Sequence, residues 1–190
     1  MNKESTIHVF RTIPVLHTER LCLRKILPFD YKDMYEYSCR DDVTKYLMWK
    51  KHPCEEHTRQ YIEYLQSRYR IGDYYDWAIE DKNTKKMIGT CGFTRFDFSN
   101  NSAEVGYVLN PSFWGQGICA EALSKIIEFG FETLGLKRIE ARFMEENFQS
   151  RRVMDKCNMK FEGILKSLAC CSLRNVQPPI TASPGCTQGM

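Results

Sequence analysis

Beyond Glu162 the sequence has no acidic and no aromatic residue. Residues 166–190 lack Asp, Glu, Phe, Tyr and Trp, and hold three Pro, two Gly and three Cys. Such a stretch adds little to a core, so it is expected to be an atypical, poorly ordered tail. The nine cysteines are odd in number and include no CxxC pair. In a chain of this length they read as reduced thiols of a cytoplasmic protein rather than a disulfide frame. Only four histidines are present, and no metal is expected. His52, Cys54 and His57 fall close together, but Pro53 and charged neighbours mark a loop entering a helix. No apolar run approaches the ~18 residues of a membrane helix. Residues 1–14 lack the apolar core of an export signal. The net charge is only +3, which excludes a histone-like polycation, and no nucleic-acid partner is expected.

What is present is core-forming material: 43% hydrophobic and 13% aromatic residues in 190, enough for one domain. No internal repeat is visible. The expected organisation is an N-terminal extension at 1–17, a single mixed α/β unit at 18–165, and the tail at 166–190. Arg20 to Ile26 alternates apolar and charged residues, as a half-buried strand does. Pro28-Phe29-Asp30 opens a helix to about Arg40, and Cys54 to Tyr69 reads as a second. Tyr74–Glu80, Met87–Phe96 and Ala103–Leu109 read as three strands in a row, which suggests an antiparallel meander. Gln116 to Leu134 carries the clearest helical period, and Gly135 is expected as its left-handed cap. Strand Lys137–Met144, helix Phe148–Cys157 and strand Lys160–Leu165 follow. A strand–helix–strand unit after the meander demands a parallel crossover, so the expected sheet is mixed.

The most informative segment runs from Glu104 through Trp114-Gly115-Gln116-Gly117-Ile118-Cys119-Ala120. A strand leads into glycines and then into an amphipathic helix. Gly115 and Gly117 allow close backbone approach, and the first-turn N–H groups of the helix attract an anion. A pyrophosphate fits, although an ordinary tight loop has the same look. Gly115 to Ala120 also matches the dinucleotide pattern GxGxxA, but that pattern belongs after a first strand. Here about a hundred residues precede it. No Lys-Ser/Thr follows the glycines, which excludes a Walker loop. A pyrophosphate with a long extended arm beside the preceding strand has the shape of coenzyme A.

Four stretches resemble the GNAT acetyltransferase superfamily, in its ribosomal-protein N-terminal acetyltransferase branch. They are residues 18–24, Ala103 to Leu109, Trp114 to Ala122, and Asn147 to Ser150 continuing to Gly163. The resemblance implies the acyl-CoA N-acyltransferase fold, acetyl-CoA as cosubstrate, and direct attack by a primary amine in a ternary complex. The amine is a protein N-terminus or a small molecule, and the protein a monomer or homodimer without a membrane partner. Cofactor-binding positions carried over are Tyr107, Val108, Leu109, Trp114, Gly115, Gln116, Gly117, Ile118, Cys119, Ala120 and Asn147. Cys119 departs from the Gly/Ala usual at its position. In the resembling family a strand rich in Asp, Tyr and aliphatics follows Leu165, and the tail here replaces it. A non-catalytic coenzyme A-binding member is the alternative, and an NAD-binding oxidoreductase a more distant one.

Acetyl transfer needs a neutral amine, an oxyanion donor and a hydrogen-bond partner for the leaving thiolate. An α-amine is roughly a tenth neutral at pH 7, so it asks less of a base than lysine does. The resemblance puts Glu104 in the role of base, against the plainer reading of a sheet-ordering or cation-binding group. Asn147 reads as a helix N-cap and Ser150 as its third residue. The resemblance places Asn147 on the pantetheine arm and Ser150 near the sulfur. The position that often carries a tyrosine acid is Met154 here. Arg151 and Arg152 are candidates for phosphates or for a solvated basic face. The tyrosine-rich region from Tyr31 to Tyr75 is expected to line the acceptor side.

Overall fold

The computed structural model describes residues 2–165 and the backbone of 171–176. The elements, in chain order, are α1 (Lys3–Thr12), β1 (Leu16–His17), β2 (Leu21–Arg24), α2 (Tyr31–Ser38), α3 (Asp41–Thr44) and α4 (Glu55–Ile71). Then come β3 (Asp76–Asp81), β4 (Met87–Asp97), β5 (Ser102–Leu109), α5 (Ile118–Glu132), β6 (Arg138–Met144), α6 (Phe148–Lys156), β7 (Lys160–Leu165) and β8 (Cys171–Val176). They build one eight-stranded mixed sheet in the order β1-β2-β3-β4-β5-β6-β8-β7. Only β5 and β6 pair in parallel, across the α5 crossover, and every other neighbour is antiparallel. The meander and crossover expected from the strand pattern are both present.

The centre of the sheet is buried on both faces. Trp77, Ala78 and Ile79 of β3 are each shielded from solvent, which explains their uninterrupted apolar run. One side is covered by α5, which buries Ala122, Leu123, Ile126 and Phe129. A Cβ on Gly130 would come within 2.8 Å of Ile139 Cδ1, so this glycine sets how closely α5 lies on β6. Helix α4 has acidic residues in its first turn and basic ones in its last, matching the helix dipole. It buries Ile62, Leu65 and Tyr69.

Two expectations about the ends change. The segment 1–17, expected as an extension, contributes Phe10 and Ile13 to the core. Phe10 is fully buried with its ring edge-on to Tyr75 and Trp77, and Trp77 Nε1 donates to Pro14 O at 2.7 Å. The tail, read as poorly ordered and without a final strand, supplies β8. Cys171–Val176 pairs with β6 on one side and β7 on the other. A ladder is made by backbone groups, so the absence of acidic and aromatic side chains does not prevent it. Residues 166–170 and 177–190 lie outside the described residues. Helix α5 starts at Ile118 rather than Gln116, because Gly117 is left-handed at φ 77°. Gly135 is left-handed as expected, at φ 67°, although α5 ends earlier, at Glu132.

Candidate active site

The β5–β6 ladder pairs Ser102 with Arg138 and ends at Val105 opposite Ala141. β5 continues to Leu109 against β4 alone. Beyond Val105 every second residue of β5 therefore aims its N–H and C=O away from β4, into the opening between the strands. A cleft of about 610 Å³ occupies this opening. Tyr107, Val108 and Leu109 form one wall, the glycine loop a second, and Asn147 to Val153 of α6 a third. The segment from Asp42 to Leu47, in and after α3, closes the remaining side. This wall lies within the Tyr31–Tyr75 region expected to line the acceptor side, although no residue of the segment was singled out in advance.

The loop is held open by its own contacts. Asn110 Oδ1 accepts from Ser112 N at 3.1 Å, and Trp114 Nε1 donates to Leu109 O at 2.8 Å. Gly115 and Gly117 both sit at φ 77°. A Cβ on Gly115 would meet nothing within 4 Å, and one on Gly117 would meet only Arg20 Nη2, at 3.7 Å. The space above the loop is thus a free cradle facing the first-turn N–H groups of α5, the geometry an anion needs. Arg20, placed in a motif but in no role by the sequence, braces it. Its Nη1 donates to Gln116 O at 3.0 Å and its Nε to Glu121 Oε2 at 2.7 Å. Glu121 also accepts from Thr18 Oγ1 and from Arg20 N. Burial works against the Glu121 charge, but these donors outweigh it and hold its pKa below the ordinary value.

Of the expected residues, Tyr107, Val108, Leu109, Trp114, Gly115, Gly117, Ile118, Cys119, Ala120, Asn147 and Ser150 converge on the cleft. Gln116 does not line it; its side chain donates to Ser112 O. Glu104 does not line it either. Its carboxylate lies 3.5 Å from Arg142 Nε and 3.9 Å from Arg95 Nη2. Asn147 caps α6 by accepting from Ser150 N at 3.1 Å. Tyr107 donates its hydroxyl to Ser150 O at 2.9 Å, and burial raises its pKa well above the ordinary range. Met154 is buried rather than aimed at the cleft. The two arginines separate: Arg152 lines the cleft, while Arg151 faces Asp155 at 4.0 Å. Lys45, Arg152 and Lys156 give the rim three positive charges. Among the described residues no group of three or more His, Cys, Asp or Glu is placed to hold a metal ion.

A strand splayed from its parallel neighbour, beside a glycine loop that opens a helix, is a specific arrangement, and the acetyltransferase (GNAT) domain family matches residues 20–160. The chain belongs to that family. It is an acetyl-CoA-dependent N-acetyltransferase. An uncharacterised N-acetyltransferase, p20 of Bacillus licheniformis, is 36% identical over 151 residues, 80% of this chain and 85% of that relative. The ribosomal-protein-serine acetyltransferase of Escherichia coli (strain K12) is 28% identical over 152 residues, 78% of this chain and 84% of that relative. In three dimensions the chain is similar to a GNAT-family acetyltransferase from Bacillus anthracis. The TM-score is 0.76 at 26% identity, covering 86% of this chain and 98% of that one. Membership in the GNAT family overturns the NAD-binding alternative. The glycine loop follows the fifth strand of the chain, not the first.

Proposed function

We propose that this GNAT enzyme acetylates a primary amine, the free α-amine of a protein or peptide N-terminus. The observation that carries the reading is the β5–β6 opening directly beside the loop cradle. The residues fit coenzyme A. The N–H groups at the start of α5 and the bare glycines would hold the pyrophosphate, with Lys45, Arg152 and Lys156 near the phosphates. The free edge of β5 from Gly106 onward would bond the amides of the extended arm in strand fashion. Bound there, acetyl-CoA supplies an activated acetyl thioester. The unpaired N–H groups of β5 stand where an oxyanion donor is needed. Ser150 is the hydroxyl on α6 that faces the cleft. It serves as hydrogen-bond donor to the leaving sulfur, since Met154 has no proton to give. Glu104, engaged by the guanidiniums of Arg142 and Arg95, fits a charge-pairing role on the sheet better than a role as base. The name of the Escherichia coli relative favours a protein N-terminus as acceptor.

The test uses a tetraalanine peptide with a free amino terminus. Coenzyme A should raise the melting temperature where NAD does not, and acetyl-CoA with the peptide should release free thiol. Coenzyme A binding without thiol release from this peptide or from a panel of small amines would favour a binding protein without catalysis.

A further inference from the structure

Across the face of the sheet opposite α5, three directly paired residues form a row. Asp76 of β3 pairs with Gly92 of β4, and Gly92 pairs with Gly106 of β5. Directly opposed residues share a face. A Cβ on Gly92 would fall 2.5 Å from Asp76 Oδ1, so the carboxylate lies over that glycine. Gly106 is one strand away, about 5 Å, and is the first β5 residue beyond the β5–β6 ladder. The floor between Asp76 and the opening is glycine backbone, over which the Thr94 methyl leans at Gly106, its Cγ2 2.7 Å from where a Cβ would sit.

Among the described residues the partners of the carboxylate are hydroxyls rather than cations. Tyr74 donates to Asp76 Oδ2 at 3.2 Å. Tyr69 of α4 donates to the Asp76 carbonyl at 2.7 Å. Tyr61 of α4 approaches Tyr74 hydroxyl to hydroxyl. Tyr37 of α2 is buried, and its hydroxyl has no hydrogen-bond partner among the described residues. Cys91 of β4, on the other face of the sheet in register with Trp77, also senses the carboxylate charge. All these groups are neutral near pH 7, because burial raises the tyrosines and the thiol alike. Among the described residues no Lys, Arg or His pairs with the carboxylate; Lys25, the cation of this cluster, lies over the Tyr69 ring at 4.8 Å. Elsewhere in this protein an inward carboxylate has its cation, as Asp30 has Arg24 at 2.7 Å. A carboxylate packed in protein without one is costly.

We propose that Asp76, with the hydroxyls of Tyr74 and Tyr61, is the acceptor site: it binds the primary ammonium group of the substrate and takes one proton from it. The inference rests on the N-acetyltransferase reading and names the amine-binding half of the same site. The substrate supplies the missing cation. In the transfer an N–H bond breaks, an O–H bond forms on the carboxylate, and a neutral amine is left one strand from the cofactor opening. Burial pushes the Asp76 carboxyl up to about 7, with the Tyr74 hydrogen bond pulling it partly back. That value suits exchange with an α-amine of pKa about 7.7–8.0.

The sign of the stability effect separates this role from a structural one. A carboxyl held near 7 when folded but at 3.8 when unfolded costs stability as pH rises between those values. Asp76→Asn should therefore melt at a higher temperature than the wild type at pH 8, whereas loss of a structural carboxylate would lower it. Calorimetric titration of the coenzyme A complex with free tetraalanine should show binding to the wild type and none for the N-acetylated peptide. Asp76→Asn should bind the free peptide at least about tenfold more weakly, the size of a lost charge-assisted contact, with coenzyme A affinity unchanged. Tyr61→Phe should weaken the peptide less, through loss of one hydroxyl. Equal peptide binding by wild type and Asp76→Asn overturns the proposal, as does no peptide binding at millimolar concentration to a wild type that holds coenzyme A. A wild type that fails to bind coenzyme A overturns the acetyltransferase reading itself.

Discussion

Gly117 carries two demands at once: a left-handed backbone at φ 77° and an empty space facing the first turn of α5. Gly117→Asp would put a carboxylate where the anion belongs, within reach of the Arg20 guanidinium now 3.7 Å from the Cβ position. The expected outcome is a coenzyme A dissociation constant raised by about tenfold or more in a protein that still folds. Titration calorimetry checks it, and an unchanged affinity would remove the loop from the cofactor site. The other residues at this site show that burial opposes the charge of thiols and carboxylates alike, and that hydrogen-bond donors decide which group stays charged. Burial drives the Cys119 thiol far up, so this cleft-lining cysteine stays protonated and acts as a small apolar contact. Glu121, only half-buried, stays charged because three donors converge on it.

The wall formed by α3 and the residues after it has a buried polar clamp. His52 is 8% exposed. Its Nδ1 lies 3.1 Å from Ser38 Oγ at the end of α2 and 2.8 Å from Thr58 Oγ1 in the first turn of α4. Its backbone N donates to Ser38 O at 2.9 Å. Burial, reinforced by His57, lowers its pKa from 6.5 to about 4. The unfolded chain takes up this proton at a higher pH than the folded one, so stability is full above pH 6.5 and falls as pH drops toward 4. Acid should therefore loosen the α3 wall before the sheet. Thermal unfolding of His52→Gln between pH 7 and pH 4 should show a shallower decline than the wild type. An identical pH slope in both proteins would mean that another group governs acid sensitivity.

At the scale of the whole molecule, among the described residues β7 has its ladder only with β8, since the order at that end is β6-β8-β7, and its further tie to β6 is the Arg138–Glu162 ion pair. Truncation after Leu165 removes β8. It leaves β7 without a ladder partner and exposes the edge of β6 along Ile139 to Met144. The truncated protein should melt several degrees lower, the size of shift roughly 1–2 kcal/mol produces in a domain of this length, and should aggregate more readily. Size-exclusion chromatography and a melting curve decide this. An unchanged melting temperature would mean that residues 171–176 add nothing to the fold.

The elements and the cofactor loop were legible in the sequence because their signals are local. Strands at Leu21–Arg24 and Met87–Asp97 follow from alternation and apolar runs, and α5 from a 3.6-residue period opened by Gly117. The Asn147 cap and the cleft positions from Tyr107 to Ala120 were likewise fixed by spacing and resemblance. Tertiary structure alone decided which distant residues meet. Arg20 reaches Glu121 across 101 positions, and Asp76 shares a row with Gly106 only through the register of β4. Glu104, a candidate base or cation-binding group by sequence, meets Arg95 and Arg142 only because β4 and β6 flank its strand. The place of β8 was hidden for the same reason. Its side chains carry no distinctive pattern, and a strand's position depends on which edges the rest of the sheet leaves open, a property of the assembled backbone rather than of any short stretch of sequence.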